Sequence, residues 1–428
     1  MSFFSLFILF LAVGLPIAFS MGTAGLIFFS LNNVPLNTIP QKILTGTDSF
    51  VLLAIPLYIF AGELMEGGGI SRRILELAGA IVGHIRGGLG HIVVVATMIM
   101  SGISGSSTAD TAAIGSGMIP TMIRKGYSRE QATAIIAASG GMDILIPPCI
   151  TMIVLGGVAN LSVAHLFFAG ILPGAVMALG LMLVIFYQAK ASDIPLEPRK
   201  GGTQLWHAFK DASWALMIPV IILGGIKLGW FTATEGAVVA VIYSAIISMF
   251  VYREIGLKDI PHIMIRSVRT AGVILFLTGM ASLFAWITAR EQIPDLLMNW
   301  IMSVAADPVI FLIISNIVLL IIGSVLEGAP AVIILAPLLL PVAVKLGIDP
   351  IHYGTIIIAN IGVGFLMPPV GMCLLVACSV GKVDVARMIK PITPYFIVMI
   401  IALLIITYVP EVSLWLPKLA GYQPTGKF

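Results

Sequence analysis

Residues 101 to 110 read SGISGSSTAD and lie between the apolar runs HIVVVATMIM and TAAIGSGMIP. Hydroxyls beside glycines at a chain reversal offer side-chain oxygens and freed backbone groups, the donors that replace the water of a dehydrated cation. A second polar stretch, Ser139-Gly140-Gly141-Met142-Asp143, is closed by Pro147-Pro148. Glycines weaken a helix and prolines cannot donate an amide, so this stretch predicts a helix broken in mid-course. Asn360-Ile361-Gly362-Val363-Gly364, closed by Pro368-Pro369, repeats the device, and GSVLEGAP at 323 to 330 supplies a second candidate reversal.

These stretches name the candidate ligands. Sodium is expected near Ser104, Ser106, Gly141, Asp143, Gly323, Gly328, Gly362 and Gly364, and an organic substrate at Ser106, Ser107, Thr151 and Glu327. Each has a plainer alternative. Hydroxyls such as those of Ser104, Ser106, Ser107 and Thr108 can bond back to the carbonyl four residues earlier. Asp110 is expected to cap the helix that follows the reversal. Asp143 sits where an ionised carboxylate costs about 2.5 to 3.5 kcal/mol, so it needs a partner, either sodium or an amide of the reversal. Glu327 can meet substrate hydroxyls, cap a half-helix or help hold sodium, and Thr151 lies one turn beyond the first proline pair.

The elements that must position these groups follow from composition. The 428 residues are 59% hydrophobic and 10% charged, with a mean hydropathy of +1.09. A soluble fold of this length carries about 25% charged residues, so this is a polytopic membrane protein. Apolar runs of roughly 18 residues recur without strand-like alternation, which predicts helices rather than a barrel. The N-terminal apolar stretch has no basic leader or small-residue cleavage site and reads as a retained helix. Cys149, Cys373 and Cys378 have no metal-ligand spacing and read as packing residues, and the six histidines are scattered. The net charge of +3 implies no nucleic-acid partner, because basic residues in such a chain mainly orient its loops.

The chain repeats itself. With a constant shift of 221, residues 120 to 148 lie on 341 to 369 with nine identities in 29 positions, among them Pro120, Gly126, Gly141, Pro147 and Pro148. The same shift carries Ile39-Pro40 onto Ile260-Pro261 and Ser106 onto Glu327. Each copy reads as three spans, an amphipathic arm, a re-entrant helical hairpin and two more spans. Five crossings invert the second copy relative to the first. The spans are expected near 3 to 19, 20 to 33, 49 to 66, 130 to 159 and 163 to 188, then 212 to 229, 233 to 251, 267 to 286, 351 to 380 and 385 to 409. The hairpins are expected near 88 to 125 and 309 to 344, with arms of about 12 to 16 residues, too short to cross a bilayer of about 30 Å. The first repeat covers 1 to 189, a cytoplasmic linker 190 to 211, the second repeat 212 to 410 and a tail 411 to 428. With both termini periplasmic, 17 of the 23 Lys and Arg fall on the cytoplasmic side, as the positive-inside bias favours. Arms are expected at ISRRILELAGAIVGHI and TAREQIPDLLMNWIMSV. Glu63, Glu66 and Glu235 fall near span ends and read as caps or subunit contacts; Trp230, Trp300 and Trp415 fall near outer boundaries.

GISGSSTADTAAIG, the IPP and MPP breaks and the inverted halves together resemble the large membrane subunit, DctM type, of the tripartite ATP-independent periplasmic (TRAP) transporters, over essentially the whole chain. The resemblance implies an elevator-type, sodium-coupled importer in the bacterial inner membrane. It also implies two partners, a small four-helix membrane subunit and a soluble periplasmic substrate-binding protein. Sialic acid and C4-dicarboxylates are both substrates within that family, with sialic acid the expectation carried forward for this chain. A membrane-embedded enzyme would need a nucleophile beside a base, or a metal cluster, and GSSTAD lacks the ending of a phosphate-binding loop. A passive organic-anion channel fits two inverted broken sites less well than alternating access does.

Overall fold

The computed structural model describes residues 3–191, 201–293, 296, 307–368 and 370–426, and those residues contain helices and no strand. In chain order they are α1 (Phe3–Ala12), α2 (Ile17–Leu31), α3 (Thr38–Thr47), α4 (Ala54–Gly67), α5 (Ile70–Val82), α6 (Gly88–Ser104), α7 (Ser107–Arg124), α8 (Arg129–Asp143), α9 (Ile150–Ala159) and α10 (Val163–Ala191). Then come α11 (Gly202–Lys227), α12 (Ala233–Ile246, ending in a π turn to Val251), α13 (Ile260–Arg290), α14 (Pro308–Val325), α15 (Gly328–Lys345), α16 (Pro350–Gly364), α17 (Met372–Gly381), α18 (Val385–Tyr408) and α19 (Glu411–Leu419).

Local chemistry sets these boundaries. Ser128 accepts from the Gln131 amide at the start of α8, and Asp349 accepts from the Ile351 and His352 amides at the start of α16. Thr232 and Glu235 form a reciprocal capping box on α12, so Glu235 is the cap the sequence suggested. After the α7 and α15 arms the chain reverses through Gly126 at φ +95° and Gly347 at φ +80°, positions 221 apart that a side chain would strain. The helices recur at nearly the same spacing: α7 with α15, α8 with α16, α9 with α17 and α10 with α18.

Seven described helices have the length and composition to cross a membrane, and two of them are α14 and α15, the arms of the second hairpin. The hairpin arms are longer than expected, 17 and 18 residues in the first and 18 and 18 in the second. At 1.5 Å per residue an 18-residue arm reaches about 27 Å, so arm length does not mark them as re-entrant; the seating of their tips does. The spans near 130 to 159 and 351 to 380 are each two helices separated by a break, as the glycines and prolines predict. Other boundaries moved. The expected span at 49 to 66 is the shorter α4, preceded by the separate helix α3, whereas its counterpart α13 runs unbroken for 31 residues. The linker region is already helical from Gly202, and the tail contains α19. The first arm is α5; of the second, residues 288 to 290 form the end of α13, and residues 294, 295 and 297 to 304, Trp300 among them, lie outside the described residues, as do Pro369 and linker residues 192 to 200.

Two groups of helices result. One packs α1 to α4 with α11 to α13; the other packs both hairpins, both broken helices, α10, α18 and α19. Large apolar side chains exposed along α11, α13, α14 and α18 form the face a lipid solvent would cover. The polar stretches turn inward, toward the seam between the groups.

Candidate functional site

At that seam lies a cavity of about 460 Å³. Ser104 to Thr108 of the first tip and Glu327 to Pro330 of the second both line it, with Ile150 and Thr151 from beyond the first break and Phe365 from the second. All four residues expected to meet substrate, Ser106, Ser107, Thr151 and Glu327, therefore share one wall, although 221 residues of chain separate the tips. Of the expected sodium residues, Ser104, Ser106 and Gly328 line the same space. The rest stand behind it.

The first tip is tied to the first break. Ser101 Oγ donates to the Asp143 carbonyl at 2.7 Å and to the Ile146 carbonyl at 3.2 Å, and the Ile150 amide donates to the Gly105 carbonyl at 3.5 Å. A Cβ on Gly105 would lie 3.0 Å from the Pro148 carbonyl oxygen, and Gly105 itself turns at φ +65°. The second tip seats in the same way: a Cβ on Gly364 would lie 2.6 Å from the Gly323 carbonyl carbon. The two breaks also touch each other, because a Cβ on Gly141 would lie 2.7 Å from the Gly362 carbonyl oxygen, and one on Gly362 would collide with the Gly141 carbonyl.

Asp110 corrects one expectation. It stands in the first turn of α7, but its carboxylate accepts from Ser104 Oγ at 2.7 Å, and Ser104 Oγ in turn accepts from the Ser106 amide at 3.2 Å. Asp110 thus braces the tip through Ser104 instead of taking free helix amides. The reason is geometric: the left-handed turn at Gly105 folds Ser104 back over the start of α7.

Asp143 is 1% exposed, with Ser101, Ser107 and Asp110 as side-chain neighbours, yet neither of its carboxylate oxygens completes a hydrogen bond. Its amide alternative is therefore not realised here, and its oxygens remain open to a cation. At the second break the position of Ser139 is taken by Asn360, whose amide donates to Asn316 Oδ1 at 2.8 Å, while Asn316 donates to Thr407 at 3.2 Å. Sequence reading missed Asn316 and Thr407, polar residues within apolar stretches 91 positions apart.

It placed Glu63 and Glu66 correctly near a span end but read them as caps or subunit contacts. Both line the cavity with Thr270, and Glu63 pairs with Arg266 at 3.0 Å. Their spacing of three residues on α4 was the available signal. Glu327, at the start of α15, makes no side-chain capping bond and is exposed to the cavity. No Lys, Arg, His or Cys lines the cavity, and the described residues hold no cluster of three His, Cys, Asp or Glu fit for a metal ion. Hydroxyls, carboxylates and backbone groups around a wet space can bind an alkali cation and a polar organic solute.

The chain matches the family described as "Tripartite ATP-independent periplasmic transporter, DctM component" over residues 4–412. Similar curated proteins include the C4-dicarboxylate TRAP transporter large permease protein DctM of Rhodobacter capsulatus, 38% identical over 433 residues and covering 98% of each chain. The 2,3-diketo-L-gulonate TRAP transporter large permease protein YiaN of Escherichia coli is 36% identical over 402 residues, covering 94% of this chain and 95% of that one. The sialic acid TRAP transporter large permease protein SiaM of Vibrio cholerae is 34% identical over 414 residues, covering 96% and 97%. Among solved structures, the YdaH transporter of Alcanivorax borkumensis has a similar fold, with a TM-score of 0.62 at 16% identity over 91% of this chain and 89% of that one.

Proposed function

We propose, from the premise that this chain belongs to the DctM component family of the tripartite ATP-independent periplasmic transporters, that it carries a small organic acid across the inner membrane together with sodium. As a family member it is a multi-pass membrane transporter component and not an enzyme. In this reading a periplasmic binding protein delivers the acid, and a small four-helix membrane subunit stands beside the group formed by α1 to α4 and α11 to α13. That group is the frame. The hairpins and broken helices move against it as one block, in an elevator.

The observation that carries the reading is the meeting of both tips in one cavity, with the unpartnered Asp143 carboxylate directly behind the first. Sodium in this reading takes Asp143 and the hydroxyl and carbonyl oxygens of the Ser104 to Ser106 tip on one side. On the other it takes backbone oxygens near Gly323, Gly328, Gly362 and Gly364. The acid meets Ser106, Ser107, Thr151 and Glu327. Since no Lys or Arg lines the cavity, bound sodium and half-helix N-termini supply the positive potential an anion requires. Each net charge moved inward gains about 2.3 kcal/mol per 100 mV, which couples uptake to the membrane potential.

With both termini periplasmic, as this reading has them, Glu63, Glu66 and Arg266 lie toward the cytoplasmic ends of α4 and α13, and the cavity beside them is read as facing inward. The acid itself is read by class only. The C4-dicarboxylate relative at 38% identity is nearer than the sialic acid relative at 34%, so the sequence-based preference for sialic acid gives way to testing dicarboxylates first. Reconstitution into vesicles with both partner components, followed by uptake of labelled C4-dicarboxylates, sugar acids and sialic acid, tests the whole reading. Saturable uptake that needs an inward sodium gradient is expected; uptake indifferent to sodium would refute the coupling.

A further inference from the structure

A second cleft, of about 470 Å³, opens on the surface where α8 and α18 begin. Arg129, Lys382 and Arg387 line it, together with Glu130 and Asp384. The Arg129 guanidinium donates to the Gly381 carbonyl at 3.0 Å, which holds it at the cleft. None of the three cations comes within ion-pair distance of either carboxylate among the described residues. Three unpaired positive side chains in one concavity make a focused positive potential that an anion relieves.

The other half of the chain shows what such a cleft does. Under the repeat, Arg129 corresponds to Pro350, and with one more residue of offset Lys382 and Arg387 correspond to Asn160 and His165. Asn160 and Lys382 share the same left-handed backbone, at φ +54° and +53°. At that equivalent place the chain's own C-terminal segment is seated. The Tyr422 hydroxyl donates to Asp349 at 3.0 Å, the Thr425 amide donates to the same carboxylate at 3.0 Å, and the Tyr422 ring lies 4.9 Å from that of His165. One cleft of the pair is filled by chain, and the other is lined with cations.

Its surroundings indicate the occupant. From the cleft, α18 runs on with Ile397, Ile401 and Leu404 exposed at four- and three-residue steps, an apolar stripe down one face. A free anion would have no use for that stripe, whereas acyl chains would lie along it. We propose that this cleft binds the phosphate headgroup of an anionic phospholipid, seated on Arg129, Lys382 and Arg387. Its assignment to the cytoplasmic leaflet rests on the orientation proposed above; the binding itself does not.

The test uses the purified full-length chain in detergent, titrated with dioleoyl phosphatidylglycerol, dioleoyl phosphatidylcholine or inorganic phosphate and read by native mass spectrometry. Phosphatidylglycerol should bind at least tenfold more tightly than phosphatidylcholine. The double variant Lys382→Gln with Arg387→Gln should lose that preference, at about fivefold per charge removed, with phosphatidylcholine binding unchanged. Asp384→Asn, which removes a repelling charge from a residue that makes no capping bond, should tighten phosphatidylglycerol binding about fivefold. It decides the matter even if the double variant fails to fold. Equal retention of both lipids, a preference that survives the double variant, or no gain in Asp384→Asn would overturn the proposal. Displacement of phosphatidylglycerol by millimolar inorganic phosphate would make this a free-anion site and overturn the lipid assignment. No arm requires transport, so a failed uptake assay leaves this result intact.

Discussion

Replacing Asp143 by asparagine separates two opposite effects on one protein. In the absence of sodium, a buried carboxylate that completes no hydrogen bond is a liability whenever it is charged. Asp143→Asn keeps the shape and cannot ionise, so the sodium-free variant should be at least as stable as the wild type. In sodium the order reverses. A wild-type chain at a hundred times its dissociation constant gains about 2.7 kcal/mol from binding, and a variant that has lost its charged ligand gains little of it. Thermal unfolding of the purified chain in matched choline and sodium salts reads both effects, with sodium-driven uptake expected to fall at least tenfold. If the variant keeps the wild-type sodium shift, or is less stable than wild type in choline, then Asp143 is not a ligand and its isolation has another cause.

Three further substitutions probe the neighbouring contacts. Ser106→Ala removes only a long 3.5 Å contact with Thr108, so folding should be unaffected while sodium-dependent uptake weakens about tenfold; unchanged uptake would remove Ser106 from the site. Glu327→Gln, on a side chain with no capping bond, should change substrate KM several-fold with expression intact, and an assembly defect without a KM change would make it structural. A Cβ on Gly62 would lie 3.0 Å from Ser104 Cα, so Gly62→Val should disfavour the present seating of the tip on α4 by about 1 to 3 kcal/mol. That shifts the population about five- to 150-fold, which labelling of a cysteine introduced at Thr108 from either side of the membrane would report. Equal labelling with and without the valine would refute a sliding contact there.

The polar residues at both tips were legible because chemistry that expensive in lipid stands out against apolar flanks, and the repeat told which residues to pair. Glu327 shows the power of that inference: alone it is one acid among apolar neighbours, but its match with Ser106 placed it in the cavity. Residues whose role depends on a distant partner were not legible. Asn316 needs Thr407, 91 positions away, and Glu63 needs Arg266. Asp110 failed for a local reason, since its sequence context suits a cap equally well and only the left-handed Gly105 hands it Ser104 instead. The break between α3 and α4 was missed although Pro56, in the first turn of α4, cannot continue a helix from the turn before; its counterpart in α13 is Leu277, and that helix runs on.

The abutting glycines Gly141 and Gly362 have a mechanical consequence. Backbone approaches backbone there, with the Leu366 and Ile144 side chains filling the flanks, so the contact has little slack. Displacing one interrupted helix must drag the other by nearly the same amount, and occupancy at either end is felt at its opposite number within a single rigid step. Under the coupling proposed above, that synchrony keeps the driving ion from leaking, and two missing methyl groups provide it.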